Sequence, residues 1–366
     1  MNAVNKSLPN APAHHLHSAS GLQARLFADG GVQRLDCHGV MLNLFVGNAL
    51  EGGPTNLWLR RLDGAAVVAV PLLGPLSPLR AAPTLPGATV YTASGTWQGI
   101  QVQLQLRLAA SAAAWFWHVD LHNTADVTQA LDLVLVHDIG LAPYATARLN
   151  EYYVSHYVDL APLTHPQRGA LLAARQNQAV AGRHPWAMLG SLRQGARRAT
   201  DALQLLGLDV RCGGLAPGIQ QGLPGPRLQH EHALMAIQDE PITLAAGGRI
   251  AAGFFGRVLD DHPLATGPAD LALADSTLAL PEALAPEWVQ AVPIKAEPAP
   301  GPSLFATAPW LATQDLSPTE LDTHFGPKRR HAETDAGALL SFFHGEQAHV
   351  VLRAKEQRVM RPHGHI

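Results

Sequence analysis

The chain has 366 residues, of which 47% are apolar and 15% charged, and its formal net charge is -3. That apolar share is ample for a packed core, while charge this sparse, against a usual share of about 25%, leaves no basic block to follow a nucleic-acid backbone. Two cysteines, Cys37 and Cys212, are too few for a disulfide framework, and no run of 18 apolar, uncharged residues is present to span a membrane.

In chain order, residues 1–20 ("MNAVNKSLPNAPAHHLHSAS") lack the apolar stretch of a secretory leader and are expected to be a disordered lead. Two free thiols suit a reducing cytosol, so the expected location is cytoplasmic. "VMLNLFV" (Val40 to Val46) reads as a strand that is apolar on both faces. Gly47 to Pro54 and the Gly-Pro pair at Gly74 mark loops. "QVQLQLRL" (Gln101 to Leu108) alternates without error: Val102, Leu104, Leu106 and Leu108 share one face, and Gln101, Gln103, Gln105 and Arg107 the other. Only a strand sorts residues in this way. "WFWHVDLHN" places Trp115, Trp117, Val119 and Leu121 on one face. "LDLVLV" (Leu131 to Val136) is apolar on both, as in a strand buried between layers. Many short strands with Gly and Pro between them predict an all-β fold of antiparallel sheets packed face to face.

Asn150 to Gln178 ("NEYYVSHYVDLAPLTHPQRGALLAARQNQ") concentrates planar polar groups: Tyr152, Tyr153, Tyr157, His156, Arg175, Gln176, Asn177 and Gln178, with Arg183, His184 and Trp186 soon after. Tyrosine and tryptophan offer flat apolar faces with a polar rim, and Arg, Gln and Asn offer paired donors and acceptors for vicinal hydroxyls. These residues are the candidate sugar contacts. The bland alternative is that Tyr152, Val154, His156 and Val158 cover one sheet face while the amides satisfy a buried loop.

Residues 263–302 are rich in Pro and Ala and read as an irregular connection, with a helical turn near Pro281 to Gln290. "DLSPTELDTHFG" is a short helix: Ser317 is the N-cap, Pro318 sits at N1, Glu320 closes a capping box, and Gly326 stops it. Two strands joined at His344-Gly345-Glu346 follow, and the last residues read as though cut in mid-element.

No nucleophile elbow, phosphate loop or dinucleotide motif is present. No metal and no cofactor are expected. "HEH" (His230 to His232) and "HGH" (His363 to His365) could place two imidazoles on one strand face, but a polar strand face explains them as well. Asp138 and Glu151 are the acids best placed for glycoside cleavage. Local turn capping by Asp138, and an ion pair of Glu151 with Arg148 or Arg175, are the ordinary readings.

"VLVHDIGLA", "NEYYVSHYVDL", "ARQNQ", "GRHPWAMLGSL" and "DDHP", in this order, resemble the 1,2-β-oligoglucan phosphorylases, within the cellobiose-phosphorylase-like glycoside hydrolase family 94 and alongside cyclic β-1,2-glucan synthases. The resemblance runs from about residue 35 to the end. It implies a β-supersandwich over residues 21–300, then a capped helix, terminal strands and the start of a linker over 301–366. It also implies a helical catalytic barrel, in cis or as a separate chain, that carries the acid and the phosphate site. No catalytic residue is therefore carried over to this sequence. The expected partners are a β-glucan oligosaccharide, the barrel and a second copy of the chain. The alternative is a stand-alone carbohydrate-binding or interaction protein.

Overall fold

The computed structural model of the protein describes residues 13–49, 51–62, 64, 66–207, 216–228, 231–288, 316–335, 338–344 and 348–352. Residues 1–306 and 307–366 form two compact units.

In the first unit, β1 (His14–His17), β2 (Leu22–Leu26), β3 (Val32–Cys37) and β4 (Val40–Met41) make an antiparallel four-stranded sheet. β1 falls inside the stretch expected to be a disordered lead. It forms because Leu16 is buried and the chain pairs with β2 from His14 to His17. The second sheet has fourteen strands: β5 (Asn56–Arg61), β6 (Val68–Pro71), β7 (Leu79–Ala81), β8 (Val90–Trp97), β9 (Ile100–Leu108), β10 (Ala114–Asn123), β11 (Gln129–Asp138), β12 (Val158–His165), β13 (Gly169–Gln176), β14 (Trp186–Ser191), β15 (Gly195–Asp201), β16 (Ala233–Asp239), β17 (Ile242–Leu244) and β18 (Arg249–Leu259). Their order is β6-β5-β11-β16-β15-β13-β14-β18-β10-β9-β8-β7, with β12 on β13 and β17 on β11. Apart from one parallel contact between Gly169 and Gly195, the pairings are antiparallel.

The alternating patterns land as strands β9, β10 and β11. Val102, Leu104, Leu106, Trp115, Trp117, Leu133 and Leu135 point into one apolar interior shared with Leu16, Leu22, Leu35 and Leu42 of the small sheet. The two sheets thus form a sandwich, as the periodicity predicts. The outer faces of β10 and β11 are also buried and carry apolar patches. Val134 and Val136 of β11 are covered by α3 (Ala202–Leu206) and α4 (Pro217–Gln221) through Leu205 and Ile219. Phe116 of β10, with Trp186 and Phe255, is covered by α5 (Leu271–Leu278) and a 3-10 turn at Pro281–Ala283. α5 lies in the stretch that composition marks as irregular. Gly256 lets the Trp115 indole lie against the backbone, since a Cβ there would stand 2.1 Å from the ring.

Beyond β4 the expected strand over Val40 to Val46 fails. The backbone N–H groups of Leu44 and Phe45 turn to the Asp138 carboxylate, at 2.9 and 2.8 Å, instead of to a ladder. α1 spans Tyr144–Ala147, and between Asn150 and Val158 α2 (Glu151–His156) replaces the strand alternative. In the second unit α6 (Pro318–Phe325) has the predicted Ser317–Glu320 capping box and ends at Gly326. β19 (Arg329–Asp335), β20 (Ala338–His344) and β21 (Ala348–Val351) form a three-stranded sheet. Among the described residues no helix is long and apolar enough to cross a membrane.

Two buried groups give tests of this packing. Asp132, wholly buried, accepts from Arg60 Nε at 2.7 Å and Gln238 Nε2 at 2.9 Å, while Arg60 Nη1 reaches the Ile219 carbonyl of α4 at 2.8 Å. Arg60→Met leaves a buried carboxylate without its counter-charge and is expected to cost about 3–5 kcal/mol in urea denaturation. His137 is buried with both ring nitrogens unpartnered, and burial holds its pKa down to about 4, against a smaller opposing pull from Asp138. The unfolded chain takes up this proton first as pH falls, so the contribution is intact above about pH 6.5 and is lost on the way down to pH 4. Relative to wild type, His137→Leu is expected to lose about 2 kcal/mol less stability between pH 7 and pH 5, as read from urea midpoints.

Candidate functional site

The motif segments converge on one end of the large sheet, and the Gln176 side chain is the tie between them. Gln176 closes β13 and is buried. Its Nε2 donates to the carbonyls of Gly140 at 2.9 Å and Val154 at 3.3 Å, and its Oε1 accepts from the Gln178 N–H at 3.0 Å. Its backbone N–H donates to the Pro185 carbonyl, and its own carbonyl accepts from His184 Nδ1 at 3.1 Å. One amide residue thus joins the "HDIGLA", "NEYYVSHY", "ARQNQ" and "GRHPW" segments. "DDHP" joins through Asp261, which accepts from the His184 N–H at 2.8 Å, and through the His262 and Pro263 carbonyls, which accept from Arg175 at 2.7 and 3.1 Å.

α2 builds the outer part of this site. Asn150 is its N-cap, accepting from the Tyr153 N–H at 3.0 Å, and Glu151 in the first turn complements the helix dipole. Helical spacing turns Val154 and Ser155 inward. Val154 packs with Leu44 and Ala142, and Ser155 Oγ accepts from the Ala233 N–H at 2.8 Å. Tyr152, Tyr153, His156 and Tyr157 face solvent. The Tyr153 and Tyr157 rings lie 4.9 Å apart, tilted by 58°, and Tyr152 leans on His232 at 5.4 Å. The hydrogen bond that the Tyr153 hydroxyl donates to Tyr157 pushes the Tyr153 phenol above its usual range.

The expected sugar contacts therefore separate by burial. Tyr152, Tyr153, His156, Asn177 and Arg183 are exposed, and Arg175, Gln178 and His184 are half-buried. Gln176 and Trp186 are buried. The Trp186 indole stacks on His262 at 5.2 Å and donates to Thr266 Oγ1 at 2.9 Å, so it braces the site from behind. Tyr144, on α1, is an exposed aromatic beside α2 that sequence reasoning passed over; Arg34 and Arg148 sit over its ring at 5.4 and 5.9 Å. Its signal was slight, a lone tyrosine after a Pro.

The acids are differently employed. Asp138 is buried and accepts from Asn43 at 3.2 Å and Thr55 at 2.6 Å, besides the two backbone donors at Leu44 and Phe45. These donors lie 83 to 95 residues away, so its capping is long-range and not that of a local turn. Arg175 and Arg148 face carbonyls and an aromatic ring, and Glu151 is the first residue of its helix. Of the paired histidines, His232 lies just before β16 beside Tyr152, while His230, His363 and His365 fall outside the described residues. What the geometry offers is an aromatic face with polar neighbours, suited to contact with flat, hydroxylated ligands.

Residues 25–256 match the SOGP N-terminal domain, and residues 326–366 match the glycoside phosphorylase supersandwich domain. The supersandwich match thus falls where the sequence alone suggested terminal strands and a linker. A 1,2-beta-oligoglucan phosphorylase of Listeria innocua serovar 6a is 30% identical over 349 residues, 94% of this chain. The chain spans 29% of that relative's length. Among solved structures, a bacterial glucoamylase complexed with acarbose aligns at a TM-score of 0.43 and 6% identity, over 76% of this chain and 36% of its own. A polysaccharide lyase aligns at 0.41 and 11%, over 70% and 33%. The chain belongs to the SOGP N-terminal domain family and is a module related to the glycoside phosphorylases.

Proposed function

We propose that this chain is the N-terminal, non-catalytic module of a β-1,2-glucan phosphorylase of the family 94 type. In the complete enzyme a glucosyl unit passes from the end of a β-1,2-glucan to phosphate. The C–O bond to the leaving sugar breaks as the C–O bond to phosphate forms, giving α-glucose 1-phosphate with inversion. The acid that protonates the leaving oxygen, and the groups that hold phosphate, belong to a helical barrel supplied in cis or by a second chain. The observation that carries this reading is identity at 30% along 94% of the chain. The hydrogen bonding of Asp138 supports it, because a carboxylate holding four donors is poorly placed to shuttle a proton. The cytosol is the proposed location, with the Cys37 thiol kept reduced there.

In this reading Tyr152, Tyr153, His156, Asn177, Gln178 and Arg183 face the glucan, Arg175 and His184 orient them, and Gln176 and Trp186 fix the backbone behind. The exposed tyrosine pair also favours a second reading, in which the chain binds glucan without any barrel.

Incubated with β-1,2-gluco-oligosaccharides and phosphate, the isolated chain is expected to release no glucose 1-phosphate; release in proportion to added chain would overturn the non-catalytic assignment. Titration of the same oligosaccharides by calorimetry is expected to show weak binding that falls about five- to tenfold in Tyr153→Ala/Tyr157→Ala, from lost stacking of about 1–1.5 kcal/mol. An unchanged affinity in that variant removes the tyrosines from the glucan-facing surface.

A further inference from the structure

A second cluster of chemistry-bearing side chains lies where the small sheet meets the end of β18. Cys37 ends β3, His38 and Gly39 form the two-residue turn to β4, and Asp260 directly follows β18. His38 Nδ1 is 3.8 Å from Cys37 Sγ and 2.7 and 2.9 Å from the two Asp260 oxygens. One donor atom from each residue lies within 4.8 Å of the others. We propose that Cys37, His38 and Asp260 form a binding site for a divalent cation of the zinc class, clasping the β3–β4 turn to the loop that follows β18.

Three features of the backbone and chemistry support this. His38 is held at φ 46°, a left-handed conformation that a residue with a side chain seldom adopts, and the left-handed turn aims its ring along the cluster. Gly21 makes room for the ring, since a Cβ there would stand 2.1 Å from His38 Nε2. The ring edge carrying Nε2 is thus set against Gly21, and Nδ1 is the nitrogen left facing thiol and carboxylate. The donor set of one sulfur, one imidazole and one carboxylate is that of zinc, and three protein ligands leave a fourth position for water.

Distances are close to what such an ion needs. With bonds of about 2.0–2.3 Å, tetrahedral ligands stand about 3.3–3.6 Å apart. The sulfur–nitrogen gap of 3.8 Å is about 0.2 Å wide, and the nitrogen–oxygen gap of 2.7–2.9 Å, here a hydrogen bond, must open by about 0.4–0.6 Å to admit the ion. Asp260, about a third exposed, and His38, half exposed, have room to adjust. Arg183 is 4.0 Å from Asp260 and mostly in solvent, so it can swing away.

Without a cation the thiol is inert. Burial, with Asp260 and Asp36 nearby, pushes Cys37 up to about 12. Binding replaces the thiol proton, which leaves to solvent, with a metal–sulfur bond. The thiolate and carboxylate together balance the charge of the ion. Asp261, next in sequence, holds the His184 N–H, so the clasp would stiffen the loop that supports the tyrosine-bearing end of the sheet.

Cobalt(II) titration of the full chain carrying Cys212→Ser tests the site. One equivalent is expected to bind with a thiolate-to-cobalt charge-transfer band that zinc abolishes by displacement. Cys37→Ser should lose the band, and the exposed substitutions His38→Ala and Asp260→Asn should weaken binding tenfold or more. Should Cys37→Ser fail to fold by circular dichroism, the two exposed variants decide. Zinc is also expected to raise the thermal midpoint of the parent and to leave that of Asp260→Asn unmoved. Absence of the band in the parent, its persistence in folded Cys37→Ser, or equal affinity in His38→Ala and Asp260→Asn would overturn the proposal.

Discussion

A strand that is buried on both faces needs cover on both, and this requirement organises the first unit of the chain. β10 and β11 carry tryptophan or leucine on one side; on the other, β10 carries Phe116 with His118 and Asp120, and β11 carries Val134 and Val136 with Asp132. Their inner sides find the small sheet. Their outer sides find α3, α4, α5 and a 3-10 turn, each too short to be stable alone and each held by what it covers. Several polar groups buried in that arrangement are paired: Asp132 with Arg60 and Gln238, His118 with the Glu282 carbonyl at 2.8 Å. His137 has no hydrogen-bond partner on either ring nitrogen, and its resistance to protonation follows from its burial.

The same economy shapes the candidate site. Loops leave the sheet at Asp138, Gln176 and Leu259 and return close together, and Gln176 and Arg175 reach across to the carbonyls of Gly140, Val154, His262 and Pro263. Polar residues that look like ligand contacts in the sequence therefore divide into two kinds. Some hold backbone to backbone, and those that remain on α2 and the Asn177–Arg183 turn are free to face outward. The tyrosines belong to the second kind because α2 has only one side to bury, which Val154 and Ser155 occupy.

How much of this was legible varied with the range of the forces involved. Strict alternation in Gln101 to Leu108 and the Ser317–Glu320 capping box are local signals, and both elements formed as read. The spacing of Tyr152, Val154 and His156 matched a strand face, yet the segment forms α2. Five residues from Leu42 to Val46 have strand composition, yet a carboxylate more than ninety residues away claims two of their N–H groups. α5 has modest helical character in a Pro-rich stretch, and only the apolar patch of Phe116, Trp186 and Phe255 explains it. Trp186 looked like a sugar platform, since nothing in its neighbours in sequence shows that His262 and Thr266 would close over it. Likewise no local pattern joins His38 to Asp260, 222 residues on.

The main path of the large sheet is curled but open and ends at β6 and β7, with β12 and β17 branching from it. β6 and β7 are four and three residues long. Pro71 ends one, and Pro78 and Pro83 flank the other. Proline has no N–H to donate, and so few residues offer too short a template for an incoming strand. A fourteen-stranded sheet would otherwise invite endless lateral growth from copy to copy. Here that route is blocked at both ends of the main path, and β12, eight residues long and paired among the described strands with β13, is the longer margin.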